Sequence, residues 1–220
     1  MCGRLALFTP TGELAQLLNA RTSLTLAPHY NLGPTLDLAA CRLDQQGERE
    51  LVALRWGLVP HWSKGPDRRY SMINARAETV HEKPAYRNPF RHQRCLIPAD
   101  GFYEWHRTEA GKQPYYFRLK AKTPLVFAGL WDHWQGESET IDSSTIIVTE
   151  ANDLMRPIHD RMPVILPPDS WEQWLDPQQD ASSLQHLLRP YTGDDLTCYP
   201  VSKAVNNVRN DTPELLEAME

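Results

Sequence analysis

The chain has 220 residues, a length that supports one compact domain with a sizeable core and is short for two ordinary ones. Hydrophobic residues make up 41% and charged residues 23%, with 18 Pro against 11 Gly, a balance that excludes collagen, coiled coil and wholesale disorder. The net charge of −5 hides a polarity, because positions 51 to 100 hold nine Lys/Arg against four Asp/Glu, an excess of +5 that leaves −10 for the remainder. Such a basic stretch reads either as a solvated face or as a surface for phosphates.

Taken in order, the first strand signal is the run Gly3 to Phe8, followed by helical spacing of Leu14, Leu17 and Leu18 behind Thr11. Further strands are expected at Leu36 to Leu43, Leu51 to Trp56, Tyr115 to Leu119, Leu125 to Leu130 and Thr145 to Thr149, where β-branched and aromatic residues concentrate. Trp171, Trp174 and Leu175 behind Pro167, Pro168 and Asp169 predict a second helix, and Leu184, Leu187 and Leu188 a third. Strands outnumber helices and do not alternate with them as βαβ units require. The expected fold is therefore α+β, a single domain over residues 1–220 built on a mostly antiparallel, curled, barrel-like sheet flanked by short helices. Its core is expected at about 2–208, with a C-terminal tail at 209–220. No window approaches the roughly 18 apolar residues of a membrane span, and no secretory signal pattern is present, so a cytoplasmic location is expected, nucleoid-associated in a bacterial cell.

Cys2, Cys41, Cys95 and Cys198 form no CxxC pair and no zinc-type spacing, so no metal and no cofactor is expected. Cys2 stands apart because it follows Met1, and a small residue there allows the methionine to be removed, which frees both an amine and a thiol on one residue. The amine condenses with an aldehyde to an imine, and the thiol then closes a five-membered thiazolidine in an intramolecular step. Read by itself, Cys2 is equally an ordinary small residue at the start of a strand.

Four other features carry polar groups of interest. Asn74, Arg76 and Glu78 recur at period two in SMINARAET, so an extended segment would present them on one face, able to grip a phosphate and orient a substrate; a polar edge strand gives the same pattern. Glu104 lies between aromatics in GFYEW, a setting for proton transfer or simply an outward-facing carboxylate. His159 stands beside Asp160 in IHDRMP, as a candidate acid/base or a satisfied polar residue. Trp56, Trp62, Tyr70 and Trp105 fall in or beside the basic stretch, as stacking platforms for unpaired bases or as core.

Together these segments resemble the SOS-response-associated peptidase family, the SRAP domains that process abasic sites. The resemblance runs through MCGR at 1–4, YNLGPT at 30–35, RWGLVPHW at 55–62, NARAET at 74–79, RCLIPADGFYEW at 94–105, FAGLWD at 127–132, TEAN at 149–152, IHDRMPVIL at 158–166 and VNN at 205–207. It implies recognition of abasic sites in single-stranded DNA and covalent capture through Cys2, with possible self-removal of Met1. It further implies that Cys2 is the nucleophile, Glu104 a proton shuttle, His159 an acid/base at the sugar oxygen and Asn74 an anchor for the adduct. Arg4 and Arg76 would hold phosphates, Asn31, Pro34 and Trp62 would shape the strand, and Thr149 would add a backbone contact. The chain departs from the family pattern at Leu5, where an aromatic is common, and at Val148, where a hydroxyl residue is frequent. The partner implied is single-stranded DNA containing abasic sites, bound by a monomer with no membrane involved, and no motif names a replication-fork partner.

Two other classes compete. N-terminal-nucleophile amidohydrolases also begin with Met-Cys-Gly, but their glutaminase members commonly build an oxyanion hole on Asn-Gly, a dipeptide absent from this chain. A noncovalent single-strand-binding module would share the basic stretch without needing Cys2.

Overall fold

The structure, a computed structural model, describes residues 2–67, 71–109 and 111–219. In chain order the elements are β1 (Leu5–Leu7), α1 (Thr11–Leu18), β2 (His29–Leu32), β3 (Asp37–Leu43), β4 (Arg49–Trp56) and β5 (Asn74–Arg76). There follow α2 (Arg87–His92), β6 (Arg94–Ala99), β7 (Gly101–Thr108), β8 (Gly111–Leu119), β9 (Leu125–Gln135) and β10 (Thr140–Glu150). β11 (Arg161–Pro163), α3 (Trp171–Leu175) and β12 (Leu196–Pro200) complete the set.

Two sheets carry the fold. Strands β10, β4, β3, β6 and β9 form a closed circuit, since β9 pairs back onto β10, and closure removes the sheet edges that would otherwise invite pairing with another chain. The second sheet has the order β12-β8-β7-β1-β2 and is antiparallel throughout. The expected α+β class with a curled, barrel-like sheet is what the chain adopts; the parallel pairings β4–β10 and β5–β10 are the exceptions to its antiparallel character.

Local chemistry explains the turns. Between β3 and β4 the Asp44 carboxylate accepts the N–H groups of Gln46 and Glu48, and Gly47 supplies the positive φ of 83° that closes the hairpin. α1 stops at Asn19, which takes the left-handed conformation tolerated by asparagine. β6 runs into β7 through Asp100 and Gly101, joining barrel to sheet. A Cβ on Gly101 would sit 2.5 Å from the Phe117 carbonyl oxygen, so only glycine fits this close crossing. The buried Asp100 carboxylate accepts the Phe8 and Thr9 N–H groups at 2.6 and 2.8 Å and so ties the end of β1 to the same crossing.

All six residues of β6 are buried, so it shows no polar alternation, and Arg94 and Pro98 break its apolar run, which is why the sequence did not mark it as a strand. Cys95, Ile97 and Ala99 join one core with Leu5, Trp56, Phe102 and Phe127, between barrel and sheet. Leu96 joins the other, with Leu14, Leu18, Trp171 and Trp174 of the helices. A third cluster, around Tyr103, Tyr116, Val205 and Leu215, lies under the C-terminal segment.

Several expectations require correction. The leucines at 184, 187 and 188 build a 3-10 turn over Ala181–Leu187 and not an α-helix. α2 was not foreseen, because its sequence RNPFRH is too short for periodicity. β2, β11 and β12 are equally short and lacked a signal. Arg94, counted in the basic stretch, is 4% exposed: its guanidinium donates to the carbonyls of Phe90, Arg91, Trp174 and Asp176, crosslinking α2 to the end of α3. Trp56 is fully buried, with its indole N–H on the Ile73 carbonyl. Tyr70, with Arg68 and Arg69, lies outside the described residues. Beyond position 208 the chain stays on the body, for Leu215 is buried and Val201 bridges to Ala218. Among the described residues no helix is long and apolar enough to cross a membrane.

Candidate functional site

β1 lies in the second sheet between the edge strand β2 and the central strand β7, and Cys2 precedes it in the chain. The β1–β7 register pairs Leu5 with Phe102, and continuing it places Gly3 across from Glu104. The side chain of Cys2 is packed against the core, 1% exposed. Burial, followed by the nearby Glu104 carboxylate, pushes its thiol well above the ordinary value of 9.0, while the Arg4 backbone N–H pulls the other way. At neutral pH the sulfur is held as a neutral thiol, not a thiolate.

The second contribution comes from the barrel. β5 pairs with β10 through Asn74↔Ile146, and from there the Asn74 amide donates its Nδ2–H to the Cys2 carbonyl at 2.8 Å. Asn74 Oδ1 has no hydrogen-bond partner among the described residues, so this amide has an acceptor to spare beside Cys2. The extended face expected at 74–78 ends early: Arg76 is exposed at the end of β5, whereas Glu78 lies in the following turn and pairs with Arg161.

Glu104 and His159, 55 positions apart in the sequence, line one cleft of ≈ 450 Å³ with Arg4, Trp105, Arg107, Lys112 and Asn206. Glu104 is 3% exposed, held on β7 between the Tyr116-bearing strand and β1. His159 comes from the loop joining β10 to β11. Its Nδ1 accepts the Arg161 backbone N–H at 3.0 Å, which assigns the proton of the neutral ring to Nε2. The Asp160 carboxylate is also 3.0 Å from Nδ1, but a nitrogen already accepting from a backbone N–H has no proton to give it, and Asp160 is mostly in solvent. The cleft thus brings a carboxyl group and an imidazole together, with the carboxyl group close enough to act on the Cys2 thiol.

The remaining expected residues divide. Arg4 lines the cleft, its guanidinium 5.8 Å from the centre of the Trp105 ring, yet its Nη1 is committed to Asn31 Oδ1 at 2.5 Å and to the Val205 carbonyl at 2.9 Å. Asn31 is buried and its Nδ2 lies within reach of the carbonyls of Val205, Asn207 and Asn210, so it lashes the C-terminal segment to β2. Asp211 strengthens the same junction by accepting the backbone N–H groups of Tyr30 and Asn31. Pro34 precedes Thr35, whose φ of 74° is unusual for a β-branched residue and is fixed by a bond from its N–H to the Trp56 carbonyl. Trp62 is 58% exposed. Next to it the His61 N–H and ring both meet the buried Asp132 carboxylate, at 2.9 and 3.0 Å, which pins the loop that presents the indole. Thr149 is 4% exposed and donates to the Leu188 carbonyl, so it is not brought to the cleft. Sequence reasoning passed over Arg107, Lys112 and Asn206; the signal for the first two was two cations flanking a tight hairpin.

This combination, a barrel backed by an antiparallel sheet whose strand β1 is preceded by a buried Cys2 close to a carboxyl-and-imidazole cleft, defines the class of protein. The family model described as SOS response associated peptidase (SRAP) matches residues 1–208, and the chain belongs to that family. It is 43% identical to the abasic site processing protein YoqW of Bacillus subtilis, over 99% of this chain and 100% of that one. It is 39% identical to the abasic site processing protein HMCES of Xenopus tropicalis, over 87% of this chain and 66% of the other. Among solved structures, a protein from Bacteroides thetaiotaomicron superposes over the full length of both chains with a TM-score of 0.86 at 24% identity. One from Bordetella bronchiseptica gives 0.79 at 30% identity, over 91% of this chain and 100% of that one.

Proposed function

We propose that this protein processes abasic sites in single-stranded DNA by bonding to them covalently through Cys2 once Met1 has been removed. The observation that carries the reading is the juxtaposition of Cys2 with three groups drawn from distant parts of the chain: Asn74 on its carbonyl, Glu104 near its thiol, and His159 lining the same cleft as Glu104. The names of its relatives, abasic site processing proteins, support abasic sites as the lesion.

An abasic sugar is mostly a closed hemiacetal, so a group must move a proton on the ring oxygen to expose the aldehyde. The His159 ring, with Nε2–H as the donor, is placed for that step. The Cys2 amine then adds to the carbonyl carbon, and Glu104 shuttles the proton that lets the hydroxyl depart as water, giving the imine. Addition of the S–H across the C=N bond closes the thiazolidine, so aldehyde and aminothiol combine with loss of one water and no redox change. Closure returns the carbon to saturation, which removes the path by which an imine eliminates the 3′ phosphate and breaks the strand.

The test uses an oligonucleotide with a genuine abasic site. A band that survives heat and detergent, is absent with Cys2→Ala, and carries the protein's mass minus methionine plus the DNA minus water is the expected result. A complex that always dissociates under denaturing conditions overturns covalent capture, and vigorous ammonia release from glutamine would point to amidohydrolase chemistry instead.

A further inference from the structure

In the β7–β8 hairpin, Arg107 lies directly opposite Lys112. Side chains facing each other across an antiparallel pair are about 5 Å apart at Cβ, and like charges so placed destabilise the sheet. Neither residue makes an ion pair or a side-chain hydrogen bond among the described residues, whereas Arg21, Arg42, Arg156 and Arg161 all have carboxylates against them. Folding gains nothing from this pair. Both residues are exposed, and both line the cleft that contains Glu104 and His159.

The pair continues a cationic edge. Period two along β7 puts Trp105 and Arg107 on one face, and Arg4 lies over the Trp105 ring. Trp105 is itself fixed, its indole N–H donating to Asn206 Oδ1 at 2.6 Å. Because Arg107 and Lys112 line the same cleft as Glu104 and His159, a negatively charged chain held there comes within reach of both cations.

We propose that Arg107 and Lys112 form a phosphate clamp that holds the sugar-phosphate backbone next to the reacting nucleotide and sets the direction in which the strand leaves the site. The inference rests on the reading of the cleft as a DNA site. Two cations converging from paired strands hold a phosphate that either alone would bind weakly, and they read no base, so the clamp is indifferent to sequence.

The experiment uses the full chain with a single-stranded oligonucleotide carrying a tetrahydrofuran abasic analogue, which has no aldehyde and reports binding alone. For Arg107→Ala/Lys112→Ala the dependence of log affinity on log salt should become shallower by about 0.7 to 1.4, and affinity should fall several-fold. Neutralising backbone phosphates one at a time as methylphosphonates should weaken the wild-type complex at one or two adjacent positions, and the double variant should be blind to those same positions. Its melting temperature should be unchanged or raised. An unchanged salt slope, or a variant that feels every methylphosphonate as wild type does, overturns the clamp. So does a lowered melting temperature with an affinity loss shared by Arg107→Lys, which would assign the pair a structural role. Failure of wild type to crosslink a true abasic site would instead overturn the covalent reading, leaving the binding comparison to judge the clamp by itself.

Discussion

Asn74 Nδ2 donates to the Cys2 carbonyl at 2.8 Å, across 72 positions of sequence, and this bond fixes the first described residue of the chain to the barrel. Without it, Cys2 would be held only by its packing and by the strand that follows. On the proposed reading Cys2 acts after Met1 is removed and so has no upstream backbone to orient it, which makes a side-chain anchor matter more than for a nucleophile within an element.

Removing the anchor should therefore cost rate more than stability. Asn74→Ala is expected to slow crosslinking by about 10- to 100-fold, measured in single turnover with saturating abasic DNA. Its urea stability should change by only about 1 kcal/mol, the net worth of one hydrogen bond. A variant that reacts at the wild-type rate would remove Asn74 from the site.

Asn31 is expected to behave in the opposite way. Its amide joins Arg4 to the carbonyls of Val205, Asn207 and Asn210, and truncation to Ala leaves several buried polar groups without partners. Asn31→Ala should destabilise by about 2 to 4 kcal/mol in urea unfolding and expose the segment after Val201 to limited proteolysis. Wild-type stability together with weakened DNA binding would instead make Asn31 a direct contact.

Trp62 presents more than half of its surface to solvent on a loop pinned by Asp132. Trp62→Ala should leave stability within about 0.5 kcal/mol. It should weaken binding to single strands by about 1 to 3 kcal/mol, the loss of one stacked base. Quenching of tryptophan emission on DNA binding, reduced in the variant, is the accompanying signature.

The buried thiols set an alkaline limit. Burial raises Cys41, held back partly by Arg49, to about 12, and raises Cys2 and Cys95 further. Above the ordinary thiol value of 9.0 the unfolded chain releases these protons and the folded chain keeps them. The folded state then binds more protons than the unfolded one, so stability falls as pH rises, by up to about 1.4 kcal/mol per pH unit for each such thiol. Urea midpoints should be level on this account from pH 7 to about 8.5 and decline beyond, and Cys95→Ala should show a shallower decline. A decline equally steep in Cys95→Ala would contradict the assignment.

Much of this was legible from residue order. Thr11–Leu18 showed itself through leucine spacing, because one face of the helix is buried, and β3, β4 and β9 through their β-branched and apolar runs. β6 was not legible: buried on both faces it lacks alternation, and Arg94 and Pro98 break the continuous apolar run that marks β9. Among the basic residues the sequence could not separate Arg94, locked onto four carbonyls, from Arg76, free in its exposure, because the two look alike until their surroundings are known.

The sequence alone pointed to the fold class and to the chemistry open to Cys2, because local periodicity and the adjacency of an amine and a thiol are properties of neighbouring residues. Only the tertiary structure decided which distant groups lie near that cysteine. It drew Glu104 and His159 to one cleft, turned Thr149 into the core, gave Asn31 to the C-terminal segment and set Arg107 against Lys112. Those outcomes depend on strand register and barrel closure, which fix where each side chain points through contacts spread along the whole chain.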